Sequence, residues 1–228
     1  MLTINNLSVG YNQSEVIRDL SFELPENQIL GIMGRNGMGK TTLLKSIIGV
    51  LKSKGSITID GKEIGSLPSF KRVKAGVAYV PQGRMIFPTL SVKDNIKVGL
   101  ETTKLKKIPD YIYELFPVLD EMSARKGGNL SGGQQQQLAI ARALVTEPKV
   151  LLLDEPTEGI QPSIIKEMAR VLCKIRDMKG TSIIVAEQVL SFALEACDHF
   201  LVMDGGEIVH EAASEDVNAE KIKSYLSV

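Results

Sequence analysis

The sequence predicts an α/β fold: a parallel-sheet core, an antiparallel β subdomain and an inserted helical subdomain. Three patterns carry that prediction. Continuous apolar runs at Gln28–Met33, Gly76–Val80, Val150–Leu153, Ser182–Ala186 and Phe200–Met203 read as strands buried on both faces. Helical spacing fills the later gaps between them, which is the βαβ rhythm of a parallel core. Between Gln82 and Ala143 the rhythm changes to helical segments broken by Pro88, Pro109, Pro117 and the Gly127-Gly128 pair.

In chain order, Leu2-Thr3-Ile4 and Leu20–Leu24 suit antiparallel strands, with a turn around Gly10, Asn12 and Gln13. Tyr11 in that turn is either a packed aromatic or a face on which a purine ring could stack. Thr41–Val50 has helical spacing, and Ser56–Ile59 is a further strand before the turn Asp60-Gly61. The tail from Ser214, SEDVNAEKIKSYL, reads as a capped terminal helix. The expected organisation is one domain over 1–228, with 1–84 and 144–228 forming the core and β subdomain and 85–143 the helical insertion. A chain of 228 residues suits a single domain of this kind.

Lys plus Arg and Asp plus Glu both number 27, so no net field draws the chain to nucleic acid or an anionic lipid surface. No apolar run approaches the roughly 18 residues that span a bilayer. The amino terminus also lacks a basic segment followed by a signal-like core, so the chain is expected to stay in the cytoplasm. Cys173 and Cys197 show no CxxC spacing, and His199 and His210 are isolated. All four read as ordinary structural residues.

The chemistry concentrates in three short phrases. Gly34–Thr41, GRNGMGKT, matches G-x-x-x-x-G-K-[ST] between an expected strand and an expected helix. Gly34, Gly37 and Gly39, with Arg35, Asn36 and Met38 between them, let backbone amides gather around phosphate oxygens. Lys40 reaches the terminal phosphates, and Thr41, followed by Thr42, offers a hydroxyl to Mg²⁺. Leu151–Pro156, LLLDEP, ends a buried strand in Asp154, a carboxylate placed to order the Mg²⁺ shell. Glu155 follows at the strand tip, where it could accept a proton from an attacking water. The third phrase is LSGGQ at Leu130–Gln134.

A phosphate loop, a strand ending in Val80-Pro81-Gln82, LSGGQ and a strand ending in Asp-Glu-Pro occur in the order found in ATP-binding cassette proteins. The chain resembles that family over essentially its whole length. The resemblance implies a P-loop NTPase core of the RecA-like type and ATP with Mg²⁺ as cofactors. It also implies a head-to-tail dimer in which Ser131, Gly132, Gly133 and Gln134 of one subunit close on ATP held by the other. A helix start rich in amides suits that role. Gln82 takes the place of the glutamine that contacts Mg²⁺ or the attacking water. The stretch Met85-Ile86-Phe87-Pro88 corresponds to a groove that receives a helix of the membrane subunit, or else packs within the insertion. Gln188 stands where most relatives carry a histidine at the γ-phosphate; an amide donates a hydrogen bond but cannot shuttle a proton. Gln161, in GIQP, stands where relatives often carry an aspartate that communicates across the dimer.

The short chain, Gln188 and VPQGRMIFPTLSVKDNI resemble the smaller ATPase of branched-chain amino acid type importers. LSGGQQQQLAIARALV and DEPTEGIQPSIIKEM are most similar to the urea-uptake branch. This likeness implies membrane permeases and a second ATPase as partners, an extracytoplasmic solute-binding protein indirectly, and a place at the cytoplasmic face of the membrane. A branched-chain amino acid or amide importer is the alternative. A nucleic-acid or ribosome-associated switch is a reading of another class, disfavoured by the single cassette and the absent basic excess.

Overall fold

A computed structural model of the chain describes residues 1–11 and 14–226. Asn12 and Gln13 of the expected early turn lie outside the described residues. The amino-terminal strands β1 (Leu2–Tyr11) and β2 (Ser14–Leu24) pair antiparallel, with Leu2 opposite Leu24. Strand β3 (Ile29–Met33) leads through the phosphate loop into helix α1 (Lys40–Ile47). Strands β4 (Ser53–Ile59) and β5 (Lys62–Glu63) complete an antiparallel sheet of order β2-β1-β4-β5.

The second sheet gathers β3 with strands from the rest of the chain. Helix α2 (Ser69–Lys74) precedes β6 (Val77–Val80), and β7 (Val150–Asp154) lies beside it in parallel. Helix α7 (Pro162–Lys179) returns the chain to β8 (Ser182–Glu187), and α8 (Leu190–Ala196) to β9 (His199–Asp204). The strand order is β10-β9-β3-β8-β7-β6, where β10 (Glu207–Ala213) is an antiparallel edge. Between β6 and β7 come α3 (Val92–Leu100), α4 (Asp110–Leu115), α5 (Pro117–Glu121) and α6 (Gly132–Leu144).

The apolar runs are continuous because successive residues of the central strands enter two different cores. Ile29, Met33, Leu151, Leu153, Ile183 and Val185 face the side that also holds the apolar residues of α6, α7 and α8. Leu30, Ile32, Leu152, Ile184 and Ala186 face α1 and the antiparallel sheet. Burial on both faces removes the need for polar alternation.

Several elements differ from the sequence reading: β1 extends through Gly10 and Tyr11, which the reading placed in the turn, because both pair with β2, and α2 and β5 were not anticipated. Strand β10 was not anticipated, because EIVHEAA is an edge whose residues are only partly buried and so lack a strong apolar pattern. Its hairpin depends on Gly205 and Gly206, both left-handed, and a Cβ on Gly206 would lie 1.8 Å from the Val16 carbonyl oxygen. The terminal helix α9 (Ala219–Leu226) starts later than Ser214. Ser214–Asp216 is a separate 3₁₀ turn, and Asn218 Oδ1 accepts from the Lys221 amide at the true helix start.

Candidate nucleotide site

The site lies where β3, β7 and β8 end together. Met33 is in register with Glu187, and Asp154 with Ala186, so the segments following these strands open on one edge of the sheet. At that edge Gly39 precedes α1 with φ of 102° and caps it with no side chain. Left-handed backbone at Gly37 and Gly39 is what the tight loop requires. The first amides of α1 are therefore left to whatever anion occupies the loop.

Lys40 is 4 % exposed and donates to the carbonyls of Gly34 and Arg35 at 2.7 and 3.1 Å. Its ammonium also lies 3.5 Å from Glu155 Oε1. Thr41 Oγ1 donates to Asp154 Oδ1 at 2.9 Å, across 113 residues of chain. Tyr79 donates its phenol proton to Asp154 Oδ2 at 2.9 Å. Burial, reinforced by the Asp154 charge, raises the Tyr79 pKa, so the phenol stays a donor. Gln82 Nε2 donates to Glu155 Oε2 at 3.2 Å.

Glu155 is buried, and its backbone is left-handed at φ 46° while its amide donates to the Ala186 carbonyl. That conformation is uncommon for a residue with a side chain and collects at functional sites. Burial raises the Glu155 pKa above the ordinary carboxylate value; Lys40 opposes the rise, while the Glu187 and Asp154 charges add to it. Asn36, Gly37, Gly39, Lys40, Thr41, Thr42, Gln82 and Glu155, with Val16, line a cleft of about 210 Å³. A larger cavity of about 810 Å³ opens beside α3, between Lys93 and Ser123, but it lacks a glycine loop and a buried carboxylate. The smaller cleft is the candidate nucleotide site.

The remaining candidates lie outside this cleft. Arg35 approaches Asp204 at 3.9 Å, and Met38 Sδ accepts from the Gly205 amide, so both tie the loop to the β9–β10 hairpin. Tyr11 ends β1 and is 45 % exposed. Ser131 caps α6 in a reciprocal box with Gln134, and neither they nor Gly132 and Gly133 line the cleft. Gln188 is exposed just beyond β8, and Gln161 is exposed at the start of α7.

Two residues of this edge escaped the sequence reading. Tyr79 sits one residue before the end of β6, and only the fold brings it to Asp154. Glu187 is fully buried and accepts from the Thr157 hydroxyl at 2.7 Å, the Thr157 amide at 3.3 Å and the amides of Gln188 and Val189 at 2.9 and 3.2 Å. It thereby fastens the Gln188 turn to the segment following Glu155. Its available signal was an acid ending an apolar strand, since a buried carboxylate needs such partners.

A family model described as ABC transporter matches residues 17–158. The chain belongs to the ABC transporter family. It is 35% identical to the high-affinity branched-chain amino acid transport ATP-binding protein BraG of Pseudomonas aeruginosa, covering 99% of both chains. It is 36% identical to the probable branched-chain amino acid transport ATP-binding protein LivF of Archaeoglobus fulgidus, covering 98% of this chain and 97% of that one. The lipopolysaccharide export ATP-binding protein LptB of Haemophilus influenzae is 32% identical over 98% of this chain and 95% of its own. Among solved structures, a dimeric ATP-binding cassette bound to ADP and Pi shares the fold with a TM-score of 0.83 and 22% identity, covering 94% of this chain and 99% of that one. This ABC ATPase is thus a P-loop NTPase that binds and hydrolyses ATP. No described helix is long and apolar enough to cross a membrane.

Proposed function

We propose that this ABC ATPase energises an importer of a small polar nitrogenous solute by closing on ATP as one half of a dimer. The observation that carries the reading is the convergence of Lys40, Thr41, Glu155 and Gln82 on one cleft, with Asp154 bonded to the Thr41 hydroxyl at its edge. In this reading the Gly34–Gly39 amides and Lys40 hold the phosphates, and Arg35, Asn36, Met38 and Thr42 shape the loop. Tyr11, exposed at the end of β1, offers a stacking face for the adenine ring. The Thr41 hydroxyl and Asp154 carboxylate form a hard-oxygen pair suited to Mg²⁺, which takes its other ligands from phosphate and water. Bound there, the ion would offset phosphate charge.

Glu155 is the group placed to take the proton of the attacking water, and its raised pKa brings it closer to the pH at which it works. Gln82 orients that carboxylate through its amide. Gln188 supplies at most a neutral contact to the γ-phosphate. Ser131, Gly132, Gly133 and Gln134 are assigned to the ATP held by the second subunit, a reading supported by their absence from their own chain's cleft. The exposed apolar side chains of Met85 and Phe87 suit docking by a permease helix. The ATPase would then sit at the cytoplasmic face of the membrane, beside permeases and a second ATPase. A solute-binding protein would deliver the cargo from outside.

The cargo reading has two supports that point apart. LSGGQQQQLAIARALV and DEPTEGIQPSIIKEM favour urea, whereas whole-length likeness to BraG and LivF favours a branched-chain amino acid. The likeness to LptB, which serves export of lipopolysaccharide, warns that the cassette itself carries little information on cargo. Uptake of labelled urea and labelled leucine, in cells with and without this chain, decides between them. Loss of urea uptake alone is the expected result. Loss of leucine uptake alone assigns the amino acid, and loss of neither removes both cargoes.

A further inference from the structure

We propose that Arg84 and Arg142 form a clamp that transmits displacement of the apolar Met85–Phe87 face to the Glu158–Gly159 turn and the start of α6. Gly83, Arg84 and Met85 are consecutively left-handed, with φ of 77°, 67° and 45°. Two of these carry side chains that disfavour such backbone, so something must hold them there.

Arg142, near the end of α6, does so from one side. Its Nη2 donates to the Met85 carbonyl at 2.8 Å and the Arg84 carbonyl at 3.3 Å. Its guanidinium also lies over the Phe87 ring, 5.3 Å from the centroid. Arg84 reaches to the other side, donating from Nη2 to the Glu158 carbonyl at 2.7 Å. The same guanidinium packs so closely on two glycines that a Cβ would meet it at 3.3 Å on Gly132 and 3.5 Å on Gly159. One side chain therefore touches the second residue of SGGQ and the turn that leads from Glu155 into α7.

The clamp also has room for a second arrangement. Arg142 Nη1 is buried without an acceptor, so a shifted carbonyl could gain a bond the present geometry leaves unmade. Strained backbone with an unused donor is an element that a small displacement can tip. The role of a permease in supplying that displacement rests on the docking proposed above; the coupling within the chain does not.

Hydrogen–deuterium exchange on the single chain tests the coupling by a double-mutant cycle over Phe87→Ala and Arg84→Met. The expected result is that Phe87→Ala speeds exchange in the Thr157–Gln161 peptide by roughly threefold or more and that Arg84→Met abolishes this response. The Gly34–Thr42 peptide should not respond in either background. Phe87→Leu, which removes only the ring, serves if Phe87→Ala fails to fold. An unchanged Thr157–Gln161 peptide, or a response that persists with Arg84→Met, overturns the clamp. Neither result touches the docking proposal, which a permease pull-down tests separately.

Discussion

The starts of α1 and α6 are both glycine-rich helix ends, yet the fold completes them differently. At α1 no side chain caps the helix, and Lys40, Asp154, Glu155 and Gln82 converge beside the free amides from distant parts of the chain. At α6 the cap is local: Ser131 Oγ accepts from the Gln134 amide at 3.3 Å, and Gln134 Oε1 accepts from the Ser131 amide at 3.0 Å. One helix start is surrounded by charge and acid–base groups, while the other has its own box, the Gly159 carbonyl, the Ile164 side chain and the Arg84 guanidinium beside it. The difference fits the proposed reading, in which the first is a reaction site and the second a half-site completed by a partner. A helix end can bind an anion unaided, but it cannot activate water.

The largest expected effect tests the richer end. Glu155→Gln should lower ATP turnover by about 10²-fold or more, within the range of a lost general base, while ATP binding measured by equilibrium titration survives. Ser131→Arg should come next, cutting turnover by more than about tenfold by filling the half-site. ATP affinity of the single chain should then stay near that of the unmodified protein. Equal loss of affinity would place Ser131 at the phosphate site of its own chain and collapse the distinction. Gln188→Ala should cost only a few-fold in turnover, because an exposed neutral amide has no proton to exchange. Should Glu155→Gln and Gln188→Ala lose equally in a steady-state ATPase assay, the assignment of Glu155 as the dominant group fails.

The same contrast explains what the sequence could reveal. Phosphate cradles and caps are built from neighbours in the chain, so Gly34–Thr41 and Ser131–Gln134 were legible as motifs. The apolar strands were legible too, since burial on both faces leaves continuous runs. Contacts made by strand register were not. Nothing local to Tyr79 indicates that it will donate to Asp154, 75 residues away, and nothing local to Glu187 indicates that it will bind Thr157. Arg72 is a further case: a buried guanidinium that donates to the Ser46 and Ile47 carbonyls at the end of α1 reads in sequence as surface charge. Strand β10 was missed because an edge with one half-exposed face needs little apolar patterning.

The smallest expected effect concerns stability and separates the two ends by sign. Because the folded pKa of Glu155 is raised above 4.5, the fold binds that proton more tightly than the unfolded chain does. The associated stability is complete below about 4.5 and is lost as pH rises through the folded value, so at neutral pH the ionised group weakens the fold. Glu155→Gln should therefore melt higher at pH 7, with about 2–4 °C gained for each 1 kcal/mol recovered. That gain should shrink as the melts are repeated down to and below about pH 4.5, where Glu155 becomes protonated in both states. Ser131→Ala, in contrast, should melt lower at every pH, because losing an N-cap costs about 0.5–2 kcal/mol and involves no titrating group. If Glu155→Gln instead melts lower at pH 7, the attraction of Lys40 outweighs the burial of the carboxylate. The reaction site would then contribute to the stability of the fold, as the α6 cap does.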